Sequence, residues 1–227
     1  YAQYSIKTWE YWCAKNDIDF LIMDENSGNF DFPIWNKELI YKFGQGYDKI
    51  GIVDSDTMIR WDAPNIFDAI DEERFYGVND LCDLNWLRDS IKDRQKFFPE
   101  TKMDIFKYIN AGVLFFGKKH LPLFEKLLNF YLENRDEIHA IKGGGKEQTL
   151  LNFVLQSNQT EIELLDPCWN LLSIHKKNMF QHNWQLNTNQ TPYFINYAYI
   201  WHMTGFPIEQ RVQIMRETWE FTKDQYV

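Results

Sequence analysis

Short apolar segments alternate with amphipathic segments along the chain, and this alternation limits the possible folds more than any other feature. Apolar runs bounded by turn residues predict strands, at residues 18–24, 49–53, 74–78, 108–117, 162–165 and 194–201. Apolar residues spaced by three and four predict helices, at residues 2–15, 35–43, 64–70, 121–138, 147–156 and 208–223. Such an order predicts an α/β fold with a mixed, mainly parallel sheet and helices on both faces. Because no linker or repeat interrupts the pattern, residues 1–227 are predicted to form a single domain.

The charge and the cysteines restrict the class of protein. The chain carries 24 Lys and Arg against 33 Asp and Glu, a net charge of −9. This acidic balance argues against a non-specific nucleic-acid binder, which needs a basic face. No apolar run approaches the ~18 residues that a membrane span requires. Cys13, Cys82 and Cys168 are too widely spaced for a disulfide framework or a metal knuckle, which favours thiols in a reducing, cytoplasmic compartment.

A pair of carboxylates follows the strand predicted at residues 49–53. Asp54 and Asp56 flank Ser55 on the turn that leaves this strand, and open α/β sheets bind ligands beyond the carboxyl ends of their strands. Two carboxylates on one turn can converge on a hard divalent cation such as Mg²⁺ or Mn²⁺. For an isolated Asp-x-Asp the alternative, a solvated turn, would prevail. A phosphatase of the haloacid dehalogenase type would place Thr or Val where this chain has Met58.

Five further segments accompany this pair in order along the chain. With the pair, they occupy residues 1–8, 49–56, 110–116 (NAGVLFF), 147–152 (EQTLLN), 165–170 (LDPCWN) and 201–205 (WHMTG). This succession resembles the nucleotide-sugar glycosyltransferases of the glycogenin and bacterial lipooligosaccharide galactosyltransferase type. The resemblance implies a GT-A fold, which is a Rossmann-like α/β domain. It also implies metal-dependent transfer of a sugar from a nucleoside diphosphate, UDP in this family, to a hydroxyl acceptor with retention of anomeric configuration.

The resemblance implies a role for each residue that matches the metal and diphosphate motifs. Asp54, Asp56 and His202 match the three metal ligands, and a neutral imidazole suits Mn²⁺. Gly205 matches a position where the backbone approaches the diphosphate closely. Taken alone, His202 would be interpreted as a hydrogen-bonded core histidine.

A second group of residues matches the part of the family's site that faces the transferred sugar. By resemblance Asn110 lies near this sugar, Gln148 lies beside its anomeric carbon, and Glu147 holds its hydroxyls. The alternatives are a cap at a strand end for Asn110 and a charge in the first turn of a helix for Glu147. Because Gln148 is uncharged, front-face displacement is favoured over a covalent intermediate, with Glu147 left as an alternative nucleophile.

Tyr1, Lys37 and Ser55 are assigned to donor binding by resemblance. Lys37 stands where the family has an arginine that contacts the donor, although a solvated lysine on a helix surface is the favoured interpretation. The acceptor is expected to contact residues 80–101 and 174–191, where Trp86 and Trp184 lie.

The chain departs from the family pattern in three places, and two other functions stay open. Glu147 replaces an aspartate, and Ile208 replaces a lysine that binds diphosphate, which leaves Arg211 as the nearest downstream cation. The family's first strand is expected upstream of Tyr1. The changes at Glu147 and Ile208 leave an inactive carbohydrate-binding relative as one alternative. A metal-dependent phosphohydrolase that uses the same Asp pair is the other.

Overall fold

The computed structural model describes residues 1–24, 27–28, 30–172 and 193–227. The chain divides into two compact units, each made of segments that are distant in sequence. Unit 1 comprises Tyr1–Leu21, Val53–Asp68 and Leu165–Val227, and unit 2 comprises Ile22–Ile52 and Ala69–Leu164. The prediction of a single domain over residues 1–227 stays a prediction.

Except for Val53, unit 2 contains all residues of a four-stranded sheet made of β1 (Lys49–Val53), β3 (Phe75–Asn79), β4 (Ile109–Gly117) and β5 (Ile162–Leu164). The order of the strands across this sheet is β1-β4-β3-β5. All nine residues of β4 are buried, as expected of a strand covered on both faces. Strand β3 pairs antiparallel with β4 and parallel with β5. The predicted mixed α/β architecture is confirmed, although parallel pairs do not predominate among the pairs with a described direction.

Five helices accompany this sheet. They are α2 (Ile40–Phe43), α3 (Leu84–Arg94), α4 (Leu121–Glu133), α5 (Arg135–Ala140) and α6 (Lys146–Ser157). Helix α6 is tied to β4 through one amide side chain, Asn152. Its Nδ2 donates to the Ile109 carbonyl at 2.8 Å, and its Oδ1 accepts from the Ile109 N–H at 2.9 Å. The start of α6, where Glu147 and Gln148 lie, is thereby fixed against the buried strand.

Unit 1 contains the helices α1 (Ala2–Lys15), α7 (Tyr193–Tyr197) and α8 (Ile208–Thr222). It also contains a two-stranded antiparallel sheet of β2 (Thr57–Ile59) and β6 (Ile200–His202). Two buried indoles join α1 to the segment around β2. Trp9 Nε1 donates to Thr57 Oγ1 at 3.0 Å, and Trp12 Nε1 donates to the Ala63 carbonyl at 2.9 Å. No helix in the described part of the chain is long and apolar enough to cross a membrane.

Several sequence-based predictions of elements are wrong. Residues 18–24 form no strand, and the side chains of Leu21 and Ile22 are 55% and 58% exposed, so this apolar run is not in a core. The segment predicted as a strand at residues 194–201 is mostly helix α7, with β6 starting only at Ile200. Residues 64–70 contain a single 3₁₀ turn instead of an α-helix.

Capping explains two further differences. Residues 80–101, for which no helix or strand is predicted, contain α3, because the Asp83 side chain accepts hydrogen bonds from the N–H groups of Asn85 and Trp86. The helix predicted at residues 121–138 breaks at Asn134, which separates α4 from α5. Residues 174–191, expected to contact the acceptor, lie outside the described residues. The strand expected upstream of Tyr1 stays a prediction, and β1 lies at one edge of the described sheet.

Candidate active site

The pairing of β2 with β6 brings two of the predicted metal ligands together. Strand β2 begins directly after Asp56, and Thr57 lies opposite His202 in the antiparallel register. The Met203 N–H donates to the Asp56 carbonyl at 2.9 Å, which extends the ladder by one bond. Two residues far apart in sequence are therefore held side by side by backbone hydrogen bonds.

Asp54 lies near these two residues because hydrogen bonds close the turn between Asp54 and Thr57. The Thr57 N–H and hydroxyl both donate to the Asp54 carbonyl, at 3.0 and 2.6 Å. Asp56 and His202 are 8% and 2% exposed, and Asp54 is half-buried. One ligand atom from each of the three residues lies within 4.8 Å of the others. Two carboxylates and one imidazole form a donor set that suits Mn²⁺ or Mg²⁺, so the residues fit the metal that the resemblance implies.

The orientation of the His202 ring is set by Asn170, a residue for which the sequence predicted no role. His202 Nδ1 lies 2.8 Å from Asn170 Oδ1, and Nε2 lies 3.2 Å from Asp56 Oδ1. An amide oxygen only accepts hydrogen bonds, so Nδ1 carries the proton in this contact. Nε2 therefore faces Asp56 and is the ring nitrogen that would bind a metal ion held between the two residues. Asn170 lies in one of the motif segments, which was the available signal.

Arg211 places a positive charge beside Asp56. Its Nη1 lies 3.2 Å from Asp56 Oδ2, and its guanidinium lies 5.4 Å from the centre of the Tyr1 ring. Burial by itself would raise the pKa of Asp56, but the His202 ring and the Arg211 guanidinium outweigh burial and hold this pKa below its usual value. The Asp56 carboxylate is thus kept in the charged form that a metal ion would require.

Three further residues of unit 1, Tyr1, Ser55 and Gly205, are assigned to the donor by resemblance. Ser55 is exposed on the turn between the two carboxylates, and Tyr1 is half-buried at the start of α1. Gly205 has a φ of +79°, a backbone conformation that favours glycine. Their contacts with a donor stay predictions.

In unit 2, two of the three predicted sugar-facing residues, Asn110 and Gln148, fall into one hydrogen-bonded network. Gln148 Oε1 accepts from Asn110 Nδ2 at 2.9 Å and from the Ala111 N–H at 3.2 Å. Gln148 Nε2 donates to Asp80 Oδ2 at 3.0 Å, and Asn110 Nδ2 is 3.3 Å from the same oxygen. The structure therefore brings Gln148 and Asn110 together and adds Asp80, which the sequence did not single out. Asp80 directly follows β3 in a segment without a recognisable motif.

Lys37 and Glu147 form a buried ion pair beside this network. Lys37 Nζ lies 3.3 Å from Glu147 Oε2, with side chains 12% and 6% exposed. Lys37 Nζ also donates to the Ala111 carbonyl at 3.1 Å, so the pair and the Gln148 network share one stretch of β4. The interpretation of Lys37 as a solvated surface residue is wrong, because the short 3₁₀ helix Pro33–Leu39 turns this side chain inward.

A glycine loop before α6 determines where this helix begins and therefore where Glu147 and Gln148 lie. Arg94, fully buried in α3, donates from Nη2 to the Gly144 carbonyl at 2.9 Å, and Ser90 Oγ donates to the same carbonyl at 2.9 Å. Gly145 has a φ of +70°, and a Cβ there would lie 2.6 Å from Ser90 Oγ. Side chains of helix α3 therefore hold the loop by its Gly144 carbonyl, and they leave no room for a side chain at position 145.

Solved glycosyltransferase structures share this fold. A glycosyltransferase involved in the glycosylation of the major capsid of PBCV-1 aligns with a TM-score of 0.58 and 14% identity, over 95% of this chain and 92% of that chain. WbbM, a bifunctional glycosyltransferase, aligns with a TM-score of 0.55 and 17% identity, over 88% of this chain and 38% of that chain. No family model matches the sequence, and no curated protein matches it either. The GT-A fold implied by the resemblance is thus confirmed.

Proposed function

We propose that the protein is a metal-dependent glycosyltransferase that moves a sugar from a nucleoside diphosphate, UDP by resemblance, to a hydroxyl acceptor. The observation that carries the proposal is the convergence of Asp54, Asp56 and His202 in unit 1. These residues would hold Mn²⁺ or Mg²⁺, which when bound supplies Lewis-acid stabilisation of charge on the leaving diphosphate. Fold similarity alone does not define an activity, so the proposal depends on this site.

The residues of unit 2 support the assignment to sugar transfer. Gln148 and Asn110 present neutral amides with Asp80 as the adjacent charge, a set that suits the hydroxyls of a sugar and the positive charge that develops at its anomeric carbon. The Gln148 carbonyl is fixed by two N–H donors, so its dipole is oriented before substrate binds. The Glu147 carboxylate is held by Lys37, which favours a role in binding hydroxyls over attack on carbon. For the retaining transfer that the resemblance implies, we therefore propose front-face displacement instead of a covalent intermediate on Glu147.

The test is UDP release from a panel of UDP-sugars with Mn²⁺ and acceptor candidates. Asp54→Asn or Asp56→Asn is expected to lower turnover by ~10² or more, because several kcal/mol of charge stabilisation is lost. Asp19→Asn, at an exposed carboxylate of the same unit, is the matched control and is expected to keep wild-type turnover. Full activity in excess chelator would refute the metal role.

Phosphate release from simple phosphate esters and direct sugar binding distinguish the two alternative functions. A phosphohydrolase would release phosphate from simple phosphate esters without a sugar nucleotide. An inactive carbohydrate-binding relative would bind sugars without any turnover of the UDP-sugar panel.

A further inference from the structure

Arg211 is held by the metal-ligating carboxylate and has unused hydrogen-bonding capacity. Nη1 pairs with Asp56 Oδ2 at 3.2 Å, and Nη2 donates to the Phe206 carbonyl at 3.2 Å. The Nε atom is buried without a hydrogen-bond partner among the described residues. With 21% of its side chain exposed, Arg211 is neither a solvated surface residue nor a fully satisfied core residue.

The two oxygens of Asp56 face different partners. Oδ1 lies 3.2 Å from His202 Nε2, and Oδ2 lies 3.2 Å from Arg211 Nη1. A divalent ion bound between Asp56 and His202 would place a second positive charge on a carboxylate that already neutralises the guanidinium. Like charges at such distances repel strongly at a buried site, so metal and Arg211 compete for Asp56.

The position where the resemblance expects a cation for the diphosphate cannot supply one. Ile208 is 64% exposed and apolar, whereas Arg211 lies three residues further along α8, almost one helical turn. A guanidinium offers a planar fork of donors that matches phosphate oxygens. The idle Nε and the Nη1 now on Asp56 are two donors of this guanidinium that phosphate oxygens could engage.

We propose that Arg211 couples metal binding to nucleotide binding. Its guanidinium contacts Asp56 in the structure; a bound diphosphate draws it away and leaves the carboxylate to the metal alone. Linkage requires that each ligand then strengthens the binding of the other by the same factor. This inference rests on the proposed function for the identity of the diphosphate, but the competition for Asp56 does not depend on sugar transfer.

The test measures Mn²⁺ affinity without nucleotide and UDP affinity with and without saturating Mn²⁺, corrected for Mn²⁺–UDP association in solution. The proteins are wild type, Arg211→Gln, Arg211→Lys and the control Arg216→Gln, which changes an exposed arginine on the same helix. Arg211→Gln is expected to bind Mn²⁺ alone about three- to tenfold more tightly and to lose about tenfold of the mutual enhancement, within the range usual for coupled sites. Some enhancement remains, because Mn²⁺ and diphosphate also contact each other directly.

Arg211→Lys is a second variant that separates loss of function from misfolding. It keeps the positive charge but lacks the planar set of guanidinium donors. It is expected to leave Mn²⁺ affinity within about twofold of wild type while weakening UDP about tenfold, because a point charge replaces a bidentate donor. The inference is overturned if Arg211→Gln leaves both the Mn²⁺ affinity and the enhancement within twofold of wild type. Wild-type protein that binds no UDP even with Mn²⁺ overturns the proposed function as well, and coupling without sugar transfer overturns only the proposed function.

Discussion

Replacing Lys37 by methionine tests whether the buried ion pair with Glu147 stabilises unit 2. The two charges are 3.3 Å apart, with side chains 12% and 6% exposed. Lys37 Nζ also donates to the Ala111 carbonyl. Methionine keeps most of the length and the apolar stem of lysine, so the substitution removes mainly the charge and its hydrogen bonds.

The expected loss of stability follows from the geometry. At 3.3 Å and an effective dielectric constant of ~20, the Coulomb attraction is ~5 kcal/mol. The dehydration of both ions offsets part of this, but removing one partner of a buried pair still costs ~3–5 kcal/mol, because the other charge stays buried. We expect Lys37→Met to lower the free energy of unfolding by about 3 kcal/mol and Glu147→Gln to lower it by a similar amount. The double variant should lose about 2 kcal/mol less than the sum, because the two residues are in direct contact.

The assay is urea unfolding monitored by tryptophan fluorescence. The unfolding free energies of wild type, the two single variants and the double variant are compared, provided that their m-values are the same. Lys142→Met, at an exposed lysine of unit 2, is the control and should change stability by less than about 0.5 kcal/mol. If Lys37→Met costs less than about 1 kcal/mol and its effect adds to that of Glu147→Gln, Lys37 behaves as a solvated lysine. The inward position of Lys37 would then be refuted.

Three further predictions address the loop, the network and the acid response of unit 2. Gly145→Ala should lower the unfolding free energy by ~1–2 kcal/mol because of the positive φ and the contact with Ser90; unchanged urea midpoints would contradict this. Gln148→Ala should lower kcat while leaving UDP affinity with Mn²⁺ within about threefold, under ~1 kcal/mol, and wild-type turnover would remove Gln148 from the reacting centre. Burial lowers the pKa of His120; the unfolded chain therefore takes up this proton first, and stability is lost as pH falls below about 6.5. His120→Gln should show a smaller loss of stability between pH 7 and pH 5 in urea titrations, and an unchanged loss would contradict the assignment.

The carboxylate part of the candidate metal site was predictable from the sequence, because an apolar strand followed by Asp-x-Asp is a local pattern. His202 followed only from the resemblance, since its proximity to Asp56 depends on the β2–β6 register. Strand β2 itself has three residues and no alternation of apolar and polar side chains, so no periodicity could predict it. Such short elements are defined by their partner and not by their own propensity.

The partners of charged side chains were the least predictable feature. Lys37 and Glu147 are separated by more than a hundred residues, and nothing in either segment indicates that one neutralises the other. The same holds for Arg94, which looks like an ordinary helix-surface arginine but lies fully buried against a loop carbonyl. Helix α7 shows the reverse problem, because an aromatic and β-branched run favours a strand by propensity and is helical in its tertiary context.

The division of unit 1 into three sequence segments has a consequence for the newly made protein. Tyr1–Leu21 and Val53–Asp68 are synthesised before the third segment of the unit, which begins only at Leu165. At the usual pace of translation, the roughly 100 intervening residues take roughly 5 to 20 s to appear. During that interval α1 can already dock on the Asp54 turn through Trp9, whereas β2 has no β6 to pair with. An unpaired strand edge on a growing chain invites association with neighbouring nascent chains. Unit 1 is therefore where we expect ribosome-associated chaperones to be needed.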